Sequence, residues 1–101
     1  MKLLDWDIYE ISSEKSSLNG VMLRGRIRKL GIESGFNVLV ENTEDVDNRV
    51  RFAVLNDGDA GVIKDYLVKV VADASIRLLE RDVNNPVLSK VKVNNAERYT
   101  L

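Results

Sequence analysis

The fold turns on the stretch Val21-Met22-Leu23-Arg24-Gly25-Arg26-Ile27-Arg28-Lys29-Leu30-Gly31, because it fits two periods. At period two, Val21, Leu23, Gly25 and Ile27 share one face and Met22, Arg24, Arg26 and Arg28 the other, the pattern of a half-buried strand. At the helical period, Leu23, Ile27 and Leu30 fall at i, i+4 and i+7. Gly25 would weaken that helix by roughly 1 kcal/mol relative to alanine, so the strand pattern is locally the better of the two.

Outward from this stretch the periods are cleaner. On the N-terminal side, residues 3–11, with Leu4, Trp6 and Ile8 alternating with Asp5 and Asp7, read as a strand, and Trp6 reads as core. A polar loop (Ser12 to Ser17) and the turn dipeptide Asn19-Gly20 follow. On the C-terminal side, Phe36, Val38 and Val40 alternate with Asn37, Leu39 and Glu41. After the acidic turn Asn42-Thr43-Glu44-Asp45-Val46-Asp47-Asn48, the residues Val50, Phe52 and Val54 alternate with Arg49, Arg51 and Ala53, which makes a hairpin. Asn56-Asp57-Gly58-Asp59 breaks it, with Asp59 as N-cap of a helix over 59–73. That helix carries one apolar stripe, Val62, Ile63, Tyr66, Leu67, Val70 and Val71, with Lys64, Asp65 and Lys69 opposite. Residues 75–81 read as a strand, Asp82 to Pro86 as a turn, and Val87 to Val93 as a last strand at an edge. The class is therefore α+β: an antiparallel sheet of four to six strands covered by one helix, with a second helix near 22–31 left open.

Composition narrows what such a domain can do. A chain of 101 residues with 45% hydrophobic and 31% charged side chains suits one globular domain over 1–101. The apolar runs are too short to span a bilayer, and acids at Asp5 and Asp7 stand where a secretory signal would be apolar, so a soluble, cytoplasmic protein is expected. No cysteine excludes disulfides and thiol catalysis, and leaves the redox compartment unmarked. No histidine removes the commonest general base near neutral pH, the Ser-His-Asp systems and most transition-metal sites. Chemistry is left to arginine, lysine, carboxylates, amides, hydroxyls and backbone N–H groups, with no cofactor or metal expected. The net charge of −1 speaks against a general nucleic-acid binder. A monomer or weak homo-oligomer is expected.

The residues around the ambiguous stretch resemble the acylphosphatases, small ferredoxin-like domains of nearly this length whose signature runs V-x-G-x-V-Q-G-V-x-F-R, a helix, and L-G-x-x-G-W-V-x-N. The resemblance implies that the arginine and the preceding loop amides hold a phosphoryl group while the asparagine orients the attacking water. An acyl phosphate carries its own activated leaving group, so such chemistry needs a cradle and an aligned water more than a strong base.

Two registers are open. In the first, Gly20-Val21-Met22-Leu23-Arg24 stands for G-V-x-F-R and Val40-Glu41-Asn42 for V-x-N, eighteen residues separating Arg24 from Asn42. This register requires a helix from about Leu23 to Leu30, with Leu30-Gly31-Ile32 as the L-G-x signal. It implies Arg24 and Asn42 as catalytic residues and Gly20, Val21, Met22 and Leu23 as the phosphate-binding loop. In the second, Val21 to Glu33 lies ungapped on the strand and loop of the signature. Glu33 then replaces the arginine, and a carboxylate at the centre of the cradle would repel phosphate.

The alternative to an acyl-phosphate hydrolase is a non-catalytic domain of the same class. It would bind an anionic ligand, RNA or a protein through Arg24, Arg26, Arg28 and Lys29, with Arg49 and Arg51 beside them if the segment is a strand. Only Trp6 and Tyr9 could add stacking aromatics to such a face. The acids Glu44, Asp45 and Asp47 fail the calcium-loop pattern, because Arg49 stands where a further oxygen ligand belongs.

Overall fold

The structure, a computed structural model, describes residues 4–18, 21–43 and 48–84. The elements run β1 (Trp6–Ser12), α1 (Leu23–Ser34), β2 (Val38–Asn42), β3 (Arg49–Val54), α2 (Asp57–Val70) and β4 (Ser75–Val83). The four strands form one sheet in the order β2-β3-β1-β4, and every neighbouring pair is antiparallel. The class is α+β, as the alternating patterns predict. The strand proposed over Val87 to Val93 and the acids Glu44, Asp45 and Asp47 lie outside the described residues. Asp82 and Val83, expected in a turn, are instead the end of β4.

Residues 23–34 are helical, against the local preference for a strand. Topology supplies the reason. β1 and β2 both pair antiparallel with β3, so they run in the same direction, and the chain between them must return across a face of the sheet. A helix makes that crossing while burying Leu23, Ile27 and Gly31 at i, i+4 and i+8. Gly31 is the contact point. A Cβ there would lie 2.7 Å from Val38 Cγ1 and 3.2 Å from the Phe36 carbonyl, so only glycine lets α1 approach β2 this closely. The helix then stops at Gly35, whose φ of 78° is left-handed and whose N–H, like that of Phe36, donates to the Gly31 carbonyl.

α2 begins earlier than Asp59. Asn56 is its N-cap, accepting the Asp59 N–H at Oδ1 (2.9 Å), while Asp57 and Asp59 place negative charge in the first turn. Its buried side is Ala60, Ile63 and Leu67, continued by Val71. Val62, expected in the stripe, is instead 40% exposed, because it lies at the margin of the face that meets the sheet.

Both helices pack on one face of the sheet. Tyr9, Ile11, Val38, Val50, Phe52 and Val54 meet Leu23, Ile27, Ile63 and Leu67 there, with Tyr9 stacked on its cross-strand neighbour Phe52 at 5.1 Å. Trp6, Ile8 and Ala53 form a second cluster on the opposite face. Trp6 and Tyr9 are both buried, so neither is available to stack on a nucleic-acid base. Among the described residues, no helix is long and apolar enough to cross a membrane.

Candidate functional site

Helical geometry and strand pairing bring Arg24 and Asn42 to the same end of the sheet. Gly31 lies against Val38, which sets α1 beside β2, and the short connection of Gly35 to Asn37 turns the chain back from one to the other. From that contact, seven helical residues back to Arg24 cover about 10 Å. Four strand residues on to Asn42 cover about 13 Å in the same sense. Val38 and Val40 pack in the helix-facing core, so Asn42, two positions further along β2, shares their face. Asn42 is half-buried and paired in register with Val50, while the Thr43 N–H (3.0 Å) and Oγ1 (3.2 Å) donate to the Arg49 carbonyl and hold the strand end.

α1 begins without the usual covering of its first turn. Its N-cap is Met22, a non-glycine residue in left-handed conformation (φ 56°, ψ 43°) that supplies no side-chain acceptor, and no acid lies in the first turn. The Arg26 N–H donates to the Met22 carbonyl, as a regular first helical bond. The N–H groups of Met22, Arg24 and Gly25 have no acceptor among the described residues, and the exposed Arg24 side chain has no carboxylate partner among them. First-turn N–H groups and the positive pole of a helix are the kind of donors that an oxyanion can accept from.

The loop amides expected in the cradle divide. The Val21 N–H is bonded to the Ser17 carbonyl (3.2 Å) and the Leu23 N–H to the Leu18 carbonyl (3.1 Å), so both are already used inside the loop; Gly20 lies outside the described residues. Of the four, only the Met22 N–H is both described and without an acceptor among the described residues, as are the N–H groups of Arg24 and Gly25 in the first turn.

The arginine-rich segment does not form the single basic face that a strand would have made. At 100° per residue, Arg26 points roughly 200° away from Arg24 around the helix. Arg26 turns its Nε back onto the Val21 carbonyl (2.7 Å), and Lys29 pairs with Glu33 (3.8 Å) on the exposed side. Arg49 and Arg51 are not beside this segment. They lie on the other face of the sheet, bonded to the carboxylate of Glu10 at 2.7 Å and 2.9 Å, with Arg77 joining at 3.2 Å. Glu10 is 4% exposed. Burial alone would raise its pKa, but the bonds from Arg49 and Arg51 outweigh this and hold it below the usual carboxylate range. The strand over Val21 to Ile27 that the second register needs is not formed, since the chain is helical from Leu23.

Two residues that sequence reasoning passed over hold the loop between β1 and α1. Asn48, left-handed at φ 55°, accepts the Leu18 N–H at Oδ1 (2.8 Å) and donates from Nδ2 to the carbonyls of Ser13 (2.9 Å) and Ser16 (2.8 Å). Asp73, beyond α2, accepts the Ser13 hydroxyl (2.8 Å) and the N–H groups of Glu14 (3.2 Å) and Lys15 (3.0 Å). The Ser13 hydroxyl and the Lys15 N–H hold its pKa below the ordinary value. At the opposite end of the sheet, Arg81 bonds both Asp7 and Asp57 at 3.1 Å, and the Tyr9 hydroxyl donates to Asp57. That network ties β1, β4 and α2 together away from Arg24. No protein-family model matches the chain, and no curated protein is significantly similar to it.

Proposed function

We propose that this protein is an acyl-phosphate hydrolase resembling the acylphosphatases, with Arg24 and the amides of Met22, Arg24 and Gly25 binding the phosphoryl group and Asn42 placing the water. The observation that carries this reading is the start of α1, where Met22 gives no side-chain cap and Arg24 stands at the second helical position. The helix and strand rises from the Gly31–Val38 contact support Arg24 lying level with the Asn42 end of β2. The element order with the strand order β2-β3-β1-β4 supports a ferredoxin-like plait, the architecture that resemblance implies. In the reaction, the water oxygen attacks phosphorus, the bond from phosphorus to the acyl oxygen breaks, and the carboxylate leaves with its electron pair. The water protons pass to phosphate and solvent. The guanidinium and the helix N–H groups face the phosphoryl oxygens, whose charge they stabilise through the transition state. The Asn42 amide offers both a donor and an acceptor to orient the nucleophile.

Benzoyl phosphate hydrolysis tests this. The wild type should exceed the buffer rate, and Arg24→Ala should lower kcat by about 100-fold to 1000-fold or more, the range for losing one oxyanion donor. Asn42→Ala should lower kcat while leaving inorganic phosphate binding nearly intact, because water placement matters mainly in the transition state. Glu33→Ala, on the exposed side with Lys29, should change little. A wild type at the buffer rate removes the enzyme reading. Phosphate binding that persists with no turnover, and that Arg24→Ala abolishes, would make the domain a non-catalytic anion binder.

A further inference from the structure

We propose that Asn48 is a positioning residue for this site, joining its two halves; the proposal rests on the hydrolase reading above. Asn48 stands where the β2–β3 hairpin meets the loop that leads to α1. Next to it in sequence, the Arg49 carbonyl accepts both bonds from Thr43, the neighbour of Asn42, so the backbone at 48–49 is tied to the Asn42 strand end. Its side chain reaches the other half. One carboxamide meets the backbone of Ser13, Ser16 and Leu18 through three bonds of 2.8–2.9 Å, using both donors and one acceptor site. The chain of bonds continues: the Ser17 and Leu18 carbonyls accept from Val21 and Leu23, and Leu23 is the first residue of α1, next to Arg24.

The residue type fits the task. The backbone at 48 is left-handed (φ 55°), where asparagine is tolerated far better than most side chains and glycine best of all. A glycine would meet the backbone demand but could supply none of the three bonds. The asparagine therefore answers both needs. Leu18 is buried at 1% exposure, so losing the acceptor for its N–H would leave the segment anchored by its side chain but free to shift its backbone. A displacement of that kind propagates to Val21, Met22 and Arg24, whose alignment with Asn42 the chemistry requires. Asp73 holds the other side of the loop at Ser13, Glu14 and Lys15 but makes no bond to Leu18, so it does not duplicate the clamp.

The test is Asn48→Gly in the full chain, read by amide hydrogen exchange and benzoyl phosphate kinetics together. Exchange at Leu18, Val21 and Leu23 should speed up by about tenfold or more, the equivalent of one lost hydrogen bond. Exchange at Tyr9 and Phe52 in the central strands should stay as in the wild type. In the same variant, kcat should fall by about 100-fold, as expected when reacting groups are misplaced by about 1 Å. Asn48→Asp, which keeps the acceptor for Leu18 but turns both donors into acceptors facing carbonyls, serves where the glycine variant does not fold. Unchanged protection at Leu18, Val21 and Leu23 overturns the proposal. So does faster exchange with wild-type kcat, which would make Asn48 a structural staple only. If the wild type itself is inert, the hydrolase reading falls separately, and exchange at Val21 and Leu23 alone decides whether Asn48 orders the approach to α1.

Discussion

The two helices lie on the same face of the same sheet, yet their N-termini are built in opposite ways. At α2 the first turn is complete: Asn56 caps it, Asp57 and Asp59 complement its dipole, and Lys69 stands in its last turn. At α1 the cap is a left-handed methionine without an acceptor, the first turn has no acid, and an arginine occupies its second position. A cation at the positive end of a helix is unfavourable unless an anion joins it. α2 is thus finished by its own residues, whereas the first turn of α1 has neither a side-chain cap from Met22 nor an acid, the feature on which the proposed anion site rests. The helix that is easiest to recognise is scaffold, and the one that is hardest carries the candidate chemistry.

The largest effect expected is on the scaffold helix. Leu67, 1% exposed in the last turn of α2, should cost about 2–5 kcal/mol when replaced by alanine, measured by denaturant unfolding. A Leu67→Ala protein with unchanged melting behaviour would mean that α2 presents a different face to the sheet. Next is Gly31→Ala in α1. The added methyl would meet Val38 Cγ1 at 2.7 Å, and overpacking of this kind costs about 1–3 kcal/mol. Because the same contact sets the separation of α1 from β2, Gly31→Ala should also reduce hydrolysis, whereas Leu67→Ala should leave turnover of the folded fraction nearly intact.

Capping comes third and bears most directly on the contrast. Asn56→Ala should destabilise by about 1 kcal/mol, since it removes the acceptor for the Asp59 N–H. Met22→Ala removes no such acceptor, so it should cost less. Inorganic phosphate should raise the melting temperature of the wild type, and Arg24→Ala should cancel that rise. Equal losses from Asn56→Ala and Met22→Ala, with no response to phosphate, would erase the distinction between the two helix ends.

A smaller, local effect follows from Asp73. Its folded pKa is depressed, so its contribution is fully present above its unfolded value, about 3.9, and is lost as pH falls through the folded value. Amide exchange at Glu14 and Lys15, corrected for the intrinsic pH dependence, should therefore lose protection on acidification below about pH 4. No loss should occur between neutrality and pH 5. Protection that persists well below the unfolded carboxylate range would show that Asp73 does not hold this loop in solution.

These expectations also show why one helix was legible in the sequence and the other was not. In α2, Ile63, Leu67 and Val71 repeat at four with no competing alternation, so the sequence alone finds the helix and the centre of its buried side, though not that Val62 falls outside it. The N-cap of α2 lies three residues before Asp59, because Asn56 and Asp59 are both good caps and only geometry chooses between them. In α1, Leu23 and Ile27 satisfy period two and period four alike. What decides is the crossing from β1 to β2, a fact about strands far apart in sequence. The candidate site divides the same way. Arg24 and Asn42 could be named from the motif that they resemble. Asn48, Asp73 and the Glu10 cluster could not, because their partners lie 30–67 residues away and carry no local pattern.

The smallest effect separates the two glycines inside α1, and it has the opposite sign to Gly31. A Cβ at Gly25 would meet nothing within 4 Å, and the residue is exposed in the first turn. Gly25→Ala should therefore stabilise the protein by about 0.5–1 kcal/mol, the propensity difference between the two residues in a helix. Gly31→Ala loses its propensity gain to the clash with Val38. Denaturant midpoints for both variants, at unchanged slope, measure the pair directly. If both substitutions stabilise, α1 does not lie close on Val38, and the geometry that brings Arg24 level with Asn42 goes with it. If both destabilise, the first turn of α1 is not helical in solution, and Gly25 is serving the left-handed entry at Met22 rather than the helix.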